Sequence, residues 1–319
     1  MSAFSQIPLD LGIPTRRVVM FSGEGSRATA VRVIERHGTE HLTLLFTDTL
    51  MEDSDLYRFL VDAACHMVGT KPPATWSAQV KTLPQWHEDR FGRRVMLDDL
   101  RVQAAEFAPH LVWIAEGRDP WEIFFAERML GNSGKDPCSK KLKREIADRW
   151  LSANCHPDNT IVYLGLDWTE EHRFDDGDGH GAKFRYARNG WRAEAPLCEP
   201  PYVLDLDKIA RIRAAGLEPS RSYVLGYGHD NCSRFCIKAG HGHFGQLLST
   251  DPDRYEAHEG QEQEFIIFIE RPVAIMTETR QKVKRPLTLK EHRERIQAGA
   301  PVDSFEIGGC GCFLEDEAA

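Results

Sequence analysis

The residues best suited to chemistry begin with Ser22-Gly23-Glu24-Gly25-Ser26-Arg27, which directly follows the apolar run 18–21. Small, flexible residues here permit backbone angles that a strand cannot continue. A helical pattern over 28–37, with Ala30, Val33 and Ile34 on one face, then offers free N–H groups to an anion. The chemistry this suits is phosphate binding; a plain tight turn is the competing reading. A second polar pair, Asp48-Thr49, ends the apolar run 42–46, where Asp48 either meets a ligand or caps the next helix. Further on, Lys140, Lys141, Lys143 and Arg144 follow Asp136-Pro137-Cys138-Ser139. They suit contact with phosphate or a second anionic group, although helical spacing spreads them over more than one side, as on a solvated face. Asp167, Glu170 and Arg173 form a late polar group that reads either as a ligand-side loop or as an ordinary surface ion-pair network.

The cysteines supply a different chemistry. Cys232 and Cys236 are spaced C-x3-C, and Cys310 and Cys312 are spaced C-x-C. Four thiolates suit zinc or an iron–sulfur cluster, yet these spacings are less diagnostic than paired C-x2-C, and buried free thiols or a redox role compete. His229, His241 and His243 are nearby ligand types. Cys65, Cys155 and Cys198 read as packing residues, while Cys138 lies inside the basic motif. Asp175-Asp176-Gly177-Asp178-Gly179 does not have the spacing of a calcium loop and reads as solvated.

These residues need a scaffold, and the pattern predicts one. Apolar runs at 18–21, 42–46, 110–115 and 160–166 read as buried strands, with helices at 28–37, 53–68, 121–130 and 139–151 between them. Strands alternating with helices predict an α/β domain, a mostly parallel sheet with helices on both faces. Ligands in such sheets gather at the carboxyl ends of strands, and three of the polar clusters fall there. Residues 70–108 read as connecting structure and 174–201 as a surface crossing. From about residue 200 the pattern changes to helices at 205–215, 238–248, 252–269 and 288–297. The expected division is therefore 1–199 and a smaller, cysteine-bearing, mainly helical region 200–319.

Composition sets the outer bounds. The chain has 319 residues, 41% hydrophobic and 28% charged, with a net charge of −9. That balance argues against coating nucleic acid through bulk charge. Neither a long apolar span nor a secretory signal pattern is present in the sequence, so no membrane association and a cytoplasmic location are expected. Eight cysteines in such a setting point to metal, redox or core thiols before disulfides.

The ordered set of motifs resembles the PP-loop ATP pyrophosphatase superfamily, in its phosphoadenosine-phosphosulfate (PAPS) reductase-like branch. The likeness rests on Ser22-Gly23-x-Gly25-Ser26, Phe46-Thr47-Asp48-Thr49, the 136–144 segment and the 165–173 segment, and covers about 17–173. It implies an adenine nucleotide α-hydrolase-like fold that holds ATP with Mg²⁺ and cleaves at the α-phosphate, activating a substrate as its adenylate. Carried over, Ser22, Gly23, Glu24, Gly25 and Ser26 would form the phosphate loop, with Asp48, Thr49, Lys140, Asp167 and Arg173 beside the nucleotide. Arg27, Lys143, Arg144 and Glu170 would take catalytic positions. Reductase-like relatives attached to type IV CRISPR loci and mobile elements extend the implied partners to nucleic acid or a protein complex.

Two departures matter. Where the family loop has its second glycine, this chain has Glu24, and Arg27 stands where Ser or Thr is usual. A carboxylate about 4 Å from one phosphate charge costs on the order of 4 kcal/mol at an effective dielectric near 20. Glu24 therefore turns outward, works with Mg²⁺, or marks a site that no longer takes a triphosphate. Glu306-Ile-Gly-Gly-Cys310-Gly-Cys312 is similar to the reductase tail without matching it, which keeps sulfonucleotide reduction as an alternative. A nucleotide-binding accessory protein with a lapsed active site is the other.

Overall fold

Four Val- and Leu-rich runs and one short polar segment pair into a single five-stranded parallel sheet of order β3-β2-β1-β4-β5, within a computed structural model describing residues 14–131, 135–202 and 207–301. The strands are β1 (Arg16–Met20), β2 (Leu42–Asp48), β3 (Leu111–Ala115), β4 (Thr160–Tyr163) and β5 (Arg192–Glu194). Val18 lies opposite Thr43 on one side and Val162 on the other. Alternation along β1 sends Val19 and the following Phe21 to one face and Val18 and Met20 to the other. The first face packs on α1 (Glu24–His37), α2 (Ser54–Met67), α3 (Ala74–Lys81) and α4 (Arg90–Phe107) through Val33, Leu56, Phe59, Val80 and Leu97. Ala147 and Leu151 of α7 (Glu145–Asn154) and Tyr186 of α9 (Ala182–Arg188) cover the second face. Both faces are buried, which explains why the central strands are apolar throughout.

Strand order runs outward from β1 in one direction and from β4 in the other, so a crevice opens between the carboxyl ends of these neighbours. Into it project the loop 21–23 and the start of α1. The chain then adds α5 (Pro120–Glu127), a short α6 (Pro137–Ser139) and a π turn, Lys140–Arg144, before α7. After β4 comes α8 (Glu171–Phe174), and after β5 come α10 (Lys208–Ala214), α11 (Arg221–Val224), α12 (His241–Thr250), α13 (Pro252–Ile269), a β6–β7 hairpin (Met276–Arg280, Val283–Leu287) and α14 (Leu289–Gln297). A second core joins Trp121 and Phe124 of α5 to Phe235, Phe244, Tyr255, Phe265 and Leu287. It draws on both sides of residue 200.

Several expectations need correction. Residues 70–108 are not connecting structure: they hold α3 and the 18-residue α4, whose inward face is only Arg93, Leu97, Leu100 and Ala104. The segment 174–201 supplies α9 and the edge strand β5, whose Arg192-Ala193-Glu194 carries no apolar run. The helix expected over 139–151 is interrupted by the π turn. The hairpin was not anticipated, because its turn residues Gln281 and Lys282 both have positive φ, 50° and 66°, where Asn-Gly is the usual signal.

One close approach sets the position of the phosphate-shaped loop. A Cβ on Gly25 would lie 2.9 Å from the Gly165 carbonyl oxygen, and one on Gly165 would lie 2.6 Å from the Ser26 nitrogen. Backbone therefore meets backbone between α1 and the loop after β4. Gly165→Ala is expected to destabilise the protein by about 1–3 kcal/mol through overpacking, read as a lower urea midpoint.

Candidate functional site

The loop after β1 starts a helix earlier than the sequence suggests, at Glu24 rather than residue 28. Its amides are already engaged. Ser26 Oγ accepts from Ser22 N at 2.8 Å and from Gly23 N at 3.0 Å, and donates back to the Gly23 carbonyl. Glu24 N donates to the Tyr223 hydroxyl at 2.9 Å. The Glu24 side chain, 1% exposed, turns inward rather than to solvent. Its two oxygens accept from Arg27 Nε at 2.5 Å and Nη2 at 2.9 Å, and Arg211 Nε lies 3.7 Å from Oε1. The carboxylate and the extra guanidinium of this loop are thus each other's partners, one helical turn apart.

Asp48 is fully committed within the fold. Oδ1 accepts from Leu50 N and the Tyr57 hydroxyl, and Oδ2 from the Trp113 indole. These bonds hold Leu50 in its left-handed conformation, φ 61°. Burial pushes the Asp48 pKa up against the pull of those donors. Thr49 Oγ1 donates to Glu52, whose other oxygen accepts from Cys232 N. Burial raises Glu52, while Lys143 nearby lowers it.

The four basic residues around the π turn divide. Lys140 is exposed and Lys141 pairs with Glu145 at 3.3 Å, whereas Lys143, 4% exposed, and Arg144 turn inward. π turns inside helices are frequent at functional sites. Asp167 caps its own turn through Thr169 N at 2.8 Å, and Glu170 pairs with Arg173. Asp167 thus stands apart from that ion pair, and Arg173 also acts at longer range. His229 shows this: its pKa falls to about 3, first through burial, then through His243, Lys143, Lys208 and Arg173. Its Nδ1 is buried with no hydrogen-bond partner among the described residues. Three cations, from the π turn, α8 and α10, thus all act electrostatically on one imidazole. Lys208 Nζ also lies 4.8 Å from the centre of the Tyr223 ring, which ties this group to the loop. The arrangement can hold a multiply charged anion.

Beside it, a cavity is lined by Thr49, Cys138, Ser139, Lys143, Cys232 and Cys236. Cys232 lies 3.8 Å from Thr49 Oγ1. Cys232, Ser233 and Arg234 all have positive φ, 51°, 52° and 69°, an arrangement that L-residues rarely adopt even singly. Cys138 thus joins the C-x3-C pair, a meeting the sequence did not disclose. Among the described residues no group of three or more Cys, His, Asp or Glu could hold a metal ion, and Cys310 and Cys312 lie outside the described residues.

Lys208, Arg211 and Tyr223 were missed, and His229 was named only as a metal-ligand type beside the cysteines. The only sequence signal was a pair of cations, Lys208 and Arg211, at helical spacing, indistinguishable there from a solvated face. Comparisons of the chain with protein-family models, with curated proteins and with solved structures returned no match. Among the described residues no helix is long and apolar enough to cross a membrane.

Removing one partner of a buried ion pair strands the other. Arg27→Ala is expected to cost about 3–5 kcal/mol of unfolding free energy, with Arg27→Ala/Glu24→Gln recovering part of it in a double-mutant cycle. Asp230 gives a pH test. Burial pushes its pKa up to about 7, against hydrogen bonds from Ser220 and Ser222 and with help from Asp53 and Glu52. Between the ordinary value of 3.8 and about 7, the folded state keeps a proton that the unfolded chain has released. Stability must fall as pH rises across that window. Urea unfolding at pH 4.5 and 7.5 should show a smaller loss in Asp230→Asn than in wild type; Glu262, raised to about 7 by burial, titrates in both proteins and cancels in the difference.

Proposed function

We propose that the chain is a PP-loop-type ATP-binding enzyme of the PAPS reductase-like kind, acting at the α-phosphate. The observation that carries this reading is the Gly-containing start of α1 at the end of β1, with Lys208 4.8 Å from the ring centre of Tyr223, whose hydroxyl meets the Glu24 amide. Lys143 and Arg173 act together with Lys208 on His229. Phosphate oxygens would lie against the loop amides, and these cations would balance the charge that grows on pyrophosphate as an acceptor attacks the α-phosphorus. Positioning and fixed charge do the work, with no covalent protein intermediate. Mg²⁺ would accompany the phosphate oxygens, since the loop carboxylate is paired with Arg27. The acceptor side falls to the thiol-lined cavity next to Thr49 and Lys143, in a setting of nucleic-acid modification or a CRISPR-type complex. Zinc or an iron–sulfur cluster on Cys232 and Cys236 would need ligands from outside the described residues.

One observation favours a second reading, a nucleotide-binding accessory protein without turnover. Arg27, the cation nearest the loop, is neutralised by Glu24 and is not open to a phosphate. Calorimetric titration with ATP and Mg²⁺ tests the shared part. Lys143→Met and Lys208→Met are each expected to weaken binding about tenfold, the loss of one charge-assisted hydrogen bond; undiminished affinity in both would sink the phosphate assignment. Pyrophosphate release separates enzyme from accessory protein.

A further inference from the structure

We infer that Tyr223 is a built-in occupant of the phosphate loop, and that a nucleotide phosphate enters only by displacing it. This rests on the phosphate-binding reading of the loop.

The tyrosine hydroxyl accepts the Glu24 amide at 2.9 Å. It comes so close to the concave side of the loop that a Cβ on Gly23 would meet it at 2.7 Å. An oxygen held by backbone N–H at a helix start occupies the place of a phosphate oxygen. Ser26 Oγ takes the two preceding amides, so the loop is satisfied from Ser22 to Glu24 by the chain's own hydroxyls.

Tyr223 does not reach this place as a loose surface residue. Its ring is 5% exposed and stands edge-on to Phe59 with centroids 6.2 Å apart. Lys208 lies over the ring and donates to the Gly228 carbonyl at 2.6 Å. Asp230 accepts from Ser220, the N-cap of α11, and from Ser222 in its first turn. Arg221 is anchored on both oxygens of Asp53, at 2.6 and 2.7 Å. The tyrosine is thus delivered by a tethered segment, and it sits between the loop and a cation of the proposed phosphate cluster.

Displacement is chemically sensible in one direction. A neutral hydroxyl on a backbone amide is the weaker partner, and a charged phosphate oxygen bonds roughly twice as strongly. Moving the ring aside also brings Lys208 to bear on the incoming charge. Binding is therefore coupled to rearrangement of residues 220–227, the segment immediately before the thiol-bearing turn.

The test is titration of the full chain with inorganic pyrophosphate and with ATP, in wild type and Tyr223→Phe. The substitution keeps the ring in the core and removes only the competing oxygen. It is expected to tighten both probes about fivefold, the worth of one neutral hydrogen bond. In wild type, ATP is expected to accelerate hydrogen exchange at the Tyr223 and Tyr227 amides, which bond to the Ser220 and Ser222 carbonyls. Equal or weaker binding by Tyr223→Phe, or slowed exchange over 220–227, overturns the gate and leaves phosphate binding standing. If neither protein binds either probe while both unfold cooperatively, the phosphate reading falls and the gate with it.

Discussion

Asp53 is the constraint on which the arrangement of this molecule depends. It caps α2 through Asp55 N, and its carboxylate, buried at the same time, faces Arg221, Arg234 and Arg254. Burial alone would raise its pKa, but Arg254 and Arg221 outweigh that and hold it below the ordinary value. Asp251 completes the group, accepting from Arg234 at 2.8 Å and Arg254 at 3.0 Å. A charge at the start of α2 thus fixes three guanidiniums from segments some 170–200 positions later. That compensation ties the segment bearing Tyr223 and the turn bearing Cys232 to the start of α2.

The same logic of local balance runs through the crevice. An acidic protein, net charge −9, can still present cations where it needs them, because neighbours set potential at a site more than the total does. Glu24 and Arg27 pair at the loop, while Lys143, Lys208 and Arg173 all act on His229 and help to keep its imidazole neutral. Burial and its neighbours keep its pKa far below neutrality.

What could be read from the sequence follows from the range of the interactions. The central strands were legible because burial on both faces makes them apolar, and the loop after β1 was legible because its chemistry is local. α4 was not, since a helix lying on the protein surface with exposed Phe91, Val95 and Val102 blurs the polar–apolar period. β5 was lost because pairing, not side-chain character, makes Arg192-Ala193-Glu194 a strand. At the site, the position of Glu24 was legible but its direction was not. Arg27 is three residues away, whereas Arg211 and Tyr223 arrive from nearly two hundred. Asp48 looked like a ligand at a strand end, and only the folded chain brings Tyr57 and Trp113 to its oxygens.

The left-handed run at Cys232, Ser233 and Arg234 has a consequence for how this chain tolerates change. Each of the three backbones costs about 1–2 kcal/mol more with a side chain than glycine would, so on backbone energy alone glycine would be the better residue at every one. The side chains explain what glycine would forfeit: Arg234 ties Asp53 to Asp251, and Cys232 faces the cavity. A glycine at 232 or 234 would relax the backbone and lose that contact with it, so backbone ease and side-chain contact pull in opposite directions at these two positions.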